Sequence, residues 1–247
     1  KHRKRTIFMI IAFSNKFRIL LFFLILVYGK LSAQENFTGY INPEVSLKLN
    51  NETLWSYQFG IAQRDIVYYD IEDRRNFREE IKFQGQFIEL NHYTSRSVGK
   101  YGKITGGVRY RFIEIYTKKQ NEIRFSEQYT HTHNLKKFAL AHRLRLAQRF
   151  RVKNTFRTRY RFSVIVPLNP QLQTKDHKKL NLATTVEGVW EFGKEETPNY
   201  GIRYSNYLNY AIFKDTSINF GLEYRYRDFT RNPYTQIFLV SALKVSL

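Results

Sequence analysis

The sequence predicts an all-β protein: a transmembrane up-and-down antiparallel β-barrel of 10–12 strands. Three observations carry that prediction. Apolar and polar residues alternate with a period of two over long segments, as they do when a strand shows one face to lipid and the other to a lumen. Those segments run roughly 10–15 residues, about twice the usual globular strand and enough for a tilted membrane crossing. Aromatic residues make up 17% of a chain of negative mean hydropathy, and many fall near segment ends, where a membrane barrel carries its girdles.

Residues 1–33 read as a separate object. They contain no acid, and Lys16 and Arg18 precede the short apolar run Ile19–Val27, which is followed by Leu31-Ser32-Ala33 before Gln34. A basic region, a short apolar region and a small-residue exit describe a cleavable secretory signal peptide, and the run is far below the ~20 residues of a spanning helix. Met9 is the only methionine, so residues before it read as upstream sequence. Residues 1–33 carry seven Lys or Arg, so their removal lowers the formal charge from +20 to +13. The remaining 34–247 read as one barrel domain.

Within it the clearest strand is Phe156–Val164, where Phe156, Tyr160, Phe162 and Val164 alternate with Arg157, Arg159, Arg161 and Ser163. Ile218–Arg227, Leu180–Phe192 and Tyr200–Ile212 split in the same way. Weaker alternation covers residues 37–49, 54–68, 80–93, 100–113, 122–132, 138–150 and 234–246. A slip of parity at Phe87-Ile88 predicts a β-bulge. Short turns are expected at Asn50-Asn51, Asn134–Lys136 and Lys214-Asp215, and longer ones at Asp70–Arg78, Leu168–Lys178 and Gly193–Asn199. Eleven segments are counted, but bacterial single-chain barrels have even strand numbers. Ten or twelve strands are therefore expected, with twelve preferred.

The polar parity is rich in guanidinium. Arg109 and Arg111 fall on it, as does a basic cluster of Arg143, Arg145, Arg149, Arg157, Arg159, Arg161, Arg203, Arg225 and Arg227. Glu127, Glu187 and Glu223 are its candidate counter-ions, and Glu191 shares the parity. Two outcomes fit such a face in a narrow lumen: an interlocked plug of Arg, Glu, Gln and Tyr, which is favoured, or an Arg-lined eyelet selective for anions. Trp55, Trp190, Phe192, Tyr200, Tyr210 and Tyr226 are the candidate aromatic girdle.

The absence of Cys excludes disulfides, thiol catalysis and zinc knuckles. There is no G-x-S-x-G, GxxxxGK[ST] or G-x-G-x-x-G. His142 lies on the outward parity on a strand with no Ser, and His131-Thr132-His133 has no third metal ligand nearby, so no enzyme, metal or cofactor is expected. Basic and aromatic residues lie on opposite parities, unlike a nucleic-acid stacking platform, so no nucleic acid is expected either.

The run His142-Arg143-Leu144-Arg145-Leu146-Ala147-Gln148-Arg149-Phe150, with Arg159-Tyr160-Arg161 and the Pro167-Leu168 exit, resembles a Bacteroidota family of outer-membrane β-barrels. That family is known as a domain of unknown function and described as outer-membrane or porin-like proteins. The Leu31-Ser32-Ala33-Gln34 exit also resembles signal peptides of that phylum. Family members usually carry Glu where this chain has Ala147, which removes a counter-ion from the cluster. The resemblance implies a barrel in a Gram-negative outer membrane and no reaction. The expected role is a small porin-like or structural envelope protein, with an accessory subunit of a larger outer-membrane transport or assembly complex as the alternative. Expected partners are outer-membrane lipid, lipopolysaccharide and a protein of such a complex.

Overall fold

The computed structural model describes residues 37–50, 54–71, 79–113, 121–135, 137–168, 179–194 and 196–247. The signal-peptide expectation for residues 1–33 lies outside them, as does most of the two expected loops at 70–78 and 168–178. The strands are β1 (Phe37–Asn50), β2 (Trp55–Ile71), β3 (Glu79–Val98), β4 (Gly102–Ile113), β5 (Glu122–Asn134), β6 (Ala139–Phe150), β7 (Thr155–Pro167), β8 (Leu180–Gly193), β9 (Glu196–Phe213), β10 (Thr216–Arg227) and β11 (Tyr234–Ser246). Each pairs antiparallel with the next, and the sheet closes on itself through β1 and β11. Closure leaves no free edge, which is how an all-β chain with strands this long satisfies its backbone.

The strand count differs from both even values expected. Eleven strands, among the described residues, form the barrel, and the seam shows how an odd number closes. The Leu247 amide donates to the Lys48 carbonyl (2.8 Å), and the Asn50 amide donates to the Leu247 carbonyl (2.9 Å). One residue bonded to the two neighbours of Leu49 is the parallel ladder pattern. Nine residues back along both strands, Tyr40 and Phe238 stack face to face at 4.5 Å. The even-number rule assumes that every pair is antiparallel; a single parallel pair removes that constraint.

The bulge expected at Phe87-Ile88 lies slightly earlier. Arg64 pairs with Phe87 and Asp65 with Gly85, leaving Gln86 as the extra residue. Phe83 therefore faces out while Phe87 turns inward and is buried. The expected Gly193–Asn199 loop is instead mostly strand. Gly193 pairs with Glu196 and Glu191 with Asn199, so β9 starts at once. Pro198 is tolerated because β10 reaches only Gly201 on the other side, where no partner needs its missing N–H.

Two close approaches explain glycines within strands. Tyr93 on β3 lies over Gly107 on β4, where an added Cβ would come within 2.3 Å of the ring. Tyr207 on β9 lies over Gly221 on β10 in the same way, at 2.4 Å. In each case the phenol reaches the charged residue two positions further along the glycine strand. Tyr93 accepts from Arg109, and Tyr207 donates to Glu223 Oε2 at 2.9 Å.

Candidate functional site in the barrel lumen

The barrel is inside-out relative to a water-soluble protein. Among the described residues, the buried apolar set is only Tyr40, Ala62, Phe87, Ala147, Val189, Phe238 and Ala242, and the buried polar and charged set is three times as long. The outward face carries the large apolar side chains. Leu144, Leu146, Phe156, Tyr160, Ile202, Phe220 and Leu222 are each more than 40% exposed. At eleven strands the interior is wider than the roughly eight-strand case that ordinary side chains just fill. Long Arg, Glu and Tyr side chains fill the space.

The register puts like charges opposite one another. Arg109 faces Arg124, Arg124 faces Arg149, Arg143 faces Arg161, Arg145 faces Arg159 and Arg203 faces Arg225. Directly opposed like charges repel, and carboxylates shared among several guanidiniums offset that repulsion. Glu187, almost fully buried, takes Arg143 Nη2 (2.8 Å) and Arg161 Nε (2.9 Å) on one oxygen. Arg203 Nη1 (3.3 Å) and Arg159 Nη1 (3.6 Å) lie at its other oxygen. Glu191 accepts from Arg157 Nε (2.9 Å), Arg149 and Thr155 Oγ1 (2.9 Å), with Arg151 at 3.4 Å and Arg227 at 3.8 Å. Glu122 pairs with Arg124 and with Arg149 Nε (3.0 Å), and Glu89 with Arg111 and with Arg109 Nη1 (3.2 Å). Glu223 holds Arg225 and accepts from Ser205 Oγ (3.3 Å). Arg149 thus links β5, β6 and β8 along one wall of the lumen.

Near the β1/β11 seam, aromatic faces take over from carboxylates. The Arg64 guanidinium lies 4.6 Å from the Phe87 ring centroid and 4.8 Å from that of Phe238. Arg111 covers Phe87 at 4.1 Å and Arg225 covers Phe238 at 3.6 Å. Arg111 and Arg225 also hold Glu89 and Glu223, and the rings between these cations lower the cost of burying the Arg64 charge.

The nine arginines of the predicted cluster all lie on the inward parity, and Arg145, Arg149, Arg157, Arg159 and Arg203 are buried. Glu187 and Glu223 join them, but Glu127 does not. Ser126 and Gln128 point inward, so Glu127 between them is exposed on the outer face, opposite Leu146. Its place is taken by Glu122 and Glu191. Ala147, where the resemblance leads one to expect Glu, is buried in the lumen opposite Arg157, and Arg157 takes Glu191 instead. Sequence reasoning missed Glu89, Glu122, Arg64 and Arg124, together with the inward rings Tyr40, Phe87 and Phe238. Glu122 and Arg124 share the parity of Ser126 and Gln128, a signal that was legible; Glu89 and Phe87 lie beyond the bulge that reverses parity.

The girdle residues line the two rims. At one rim, Phe156 and Phe192 stack at 5.8 Å, Phe192 and Trp190 lie 4.9 Å apart, and Trp190 and Tyr200 stack at 6.2 Å. Phe229 joins Tyr200 (6.1 Å) to Tyr226 (6.3 Å). Trp55 and Tyr210 belong to the opposite rim, Trp55 beneath the Arg96 guanidinium. The outer-wall histidines pair locally: His131 and His133 approach at 2.9 Å, and His142 meets the Tyr160 hydroxyl at 2.7 Å. Ser163 faces inward, away from His142.

A closed sheet, antiparallel except at its seam, with an ion-paired interior and an apolar exterior defines the chain as a β-barrel of the inside-out kind. It belongs to the family described as "Protein of unknown function (DUF2490)", which matches residues 55–235. No curated protein and no solved structure matches it.

Proposed function

We propose that the protein is a structural envelope barrel of a Gram-negative outer membrane, of Bacteroidota type, whose lumen is closed by its own Arg–Glu network. The observation that carries this reading is the exchange of inside and outside. In water, a belt of exposed Leu, Ile, Phe and Tyr around the barrel would far exceed the few hundred Å² that soluble monomers tolerate. In a bilayer the same belt is the solvated face, and each strand hydrogen-bonds to neighbours so that no backbone group meets lipid unpaired. Export through the Leu31-Ser32-Ala33 exit fits that destination, and the rim aromatics fit the interface.

Closure rests on the buried carboxylates. Glu122, Glu187 and Glu191 are each gripped by guanidiniums from more than one strand, and these cross-links narrow the space through which solute would pass. Purified protein reconstituted in planar bilayers is therefore expected to be electrically silent and to remain so without a partner. Steady anion-selective conductance from the wild-type barrel would establish the porin-like alternative. Silence together with stoichiometric co-purification of a second envelope protein would favour the accessory-subunit role.

A further inference from the structure

We propose that His131, His133 and His142 on the outer wall bind one divalent transition-metal ion of the Zn²⁺, Ni²⁺ and Cu²⁺ class. His131 and His133 occupy alternate positions of β5, so both rings project from one face of the strand. Their Nε2 atoms lie 2.9 Å apart and their ring centroids 4.3 Å apart. Two nitrogens bound to one ion at about 2.0–2.1 Å are separated by roughly 2.9–3.4 Å, from right-angle to tetrahedral geometry. The pair therefore already stands at a chelating distance. The metal replaces the hydrogen bond between the two rings, each neutral imidazole then keeping its proton on Nδ1.

Neighbouring groups hold that pair in place. The Tyr129 hydroxyl lies 3.4 Å from His131 Nδ1; accepting a hydrogen bond there leaves Nε2 to face the metal, the outer-shell arrangement that orients ligating imidazoles. The Thr132 amide donates to the Tyr101 carbonyl at 2.9 Å, which fastens the β3–β4 turn beside β5. The Tyr101 ring then packs on His131 at 5.9 Å and on His133 at 5.5 Å. The third ligand comes from β6, where His142 is directly opposite His131, and side chains so placed have Cβ atoms about 4.5–5.5 Å apart. His142 Nδ1 rests on the Tyr160 hydroxyl at 2.7 Å. Rotating the side chain away from β7 breaks that one exposed hydrogen bond and carries the ring over His131. All three rings are reachable: His133 is exposed, and His131 and His142 are half-buried.

The ligand set selects the ion. Imidazole nitrogens suit Zn²⁺, Ni²⁺ and Cu²⁺, whereas Ca²⁺ and Mg²⁺ take oxygen ligands. Three ligands from one wall leave a fourth position facing away from the barrel, where water or a donor from outside completes the shell. His142 lies nine residues beyond His133 in the chain, and only the β5–β6 register brings it beside His131, which is why local spacing shows no third ligand. The site is on the outer wall and does not depend on whether the lumen is closed.

The test uses the purified, folded full chain in detergent, without a histidine tag, with Zn²⁺ in equilibrium dialysis. One Zn²⁺ per barrel is expected, and Co²⁺ in the same place should show the strong visible absorption of a four-coordinate ion. Zn²⁺ should also raise the temperature of the heat-induced gel-mobility shift, and a chelator should reverse the rise. His131→Ala, His133→Ala and His142→Ala should each weaken Zn²⁺ binding by at least the roughly tenfold that loss of an outer-shell partner costs. His92→Ala, which removes an outer-wall histidine bonded to Thr94, should bind like wild type. Absence of stoichiometric Zn²⁺ from the folded wild type would overturn the proposal. So would wild-type affinity in His142→Ala, since the β5 pair alone would then account for binding, and so would equal competition by Ca²⁺. If His142→Ala fails to fold, His142→Gln and the wild-type comparison of Zn²⁺ with Ca²⁺ still decide.

Discussion

Glu191 concentrates the energetics of the lumen in one side chain. Removing one partner of a buried ion pair leaves the other desolvated and uncompensated, at about 3–5 kcal/mol. Glu191→Gln takes the carboxylate from Arg157 and one of the two from Arg149. It should lower stability by about that amount, read as a lower urea midpoint for the folded, heat-modifiable form. Ala147 faces Arg157 directly across the β6/β7 ladder. Ala147→Glu in the same chain is therefore expected to recover part of the loss by supplying a carboxylate from the neighbouring strand. No recovery would mean that Glu191 acts through its bond to Thr155 and its packing rather than through charge.

At the level of single strands, parity decides what each position tolerates. Leu222 on β10 faces outward and is half exposed, while Asn219 three residues earlier faces Asn209 and Ala242 on the inner side. Leu222→Arg is expected to cut the yield of folded barrel in lipid vesicles, since Arg near a bilayer midplane costs about 2–4 kcal/mol. Asn219→Arg should fold almost as wild type. Equal yields would mean that the outer face meets no lipid.

Parity was also what made the elements legible. Phe156–Val164 and Ile218–Arg227 have rings on one face and polar groups on the other, so their orientation could be read from local pattern alone. The same logic misplaced Glu127, because Glu122–Asn134 carries polar residues on both faces and alternation there is weak. It misplaced Phe87 because one extra residue, Gln86, reverses every later side chain on β3. The parallel seam was not legible at all. It joins residues about 200 positions apart, and nothing local in β1 or β11 distinguishes a parallel neighbour from an antiparallel one.

Across the whole molecule, if the proposed export holds, N-terminal sequencing of protein from the outer-membrane fraction should begin at or within a few residues of Gln34, since the basic region, short apolar run and small-residue exit read as a cleavable signal. Recovery of the uncut chain from the cytosol would remove both the location and the closed-lumen role. The parallel seam fixes sidedness as well. With eleven crossings, the start of β1 and the end of β11 lie at opposite rims, Leu247 beside Asn50 and the β9–β10 turn, Gly39 beside Val67. The chain has no cysteine of its own, so single introduced thiols report cleanly to an impermeant maleimide on intact cells. Thr38→Cys and Val152→Cys should label from one side of the membrane, and Asp215→Cys and Leu247→Cys only from the other. A barrel with an even number of crossings would put Thr38 and Leu247 on the same side, so two thiols distinguish the odd seam from its even counterpart in a living cell.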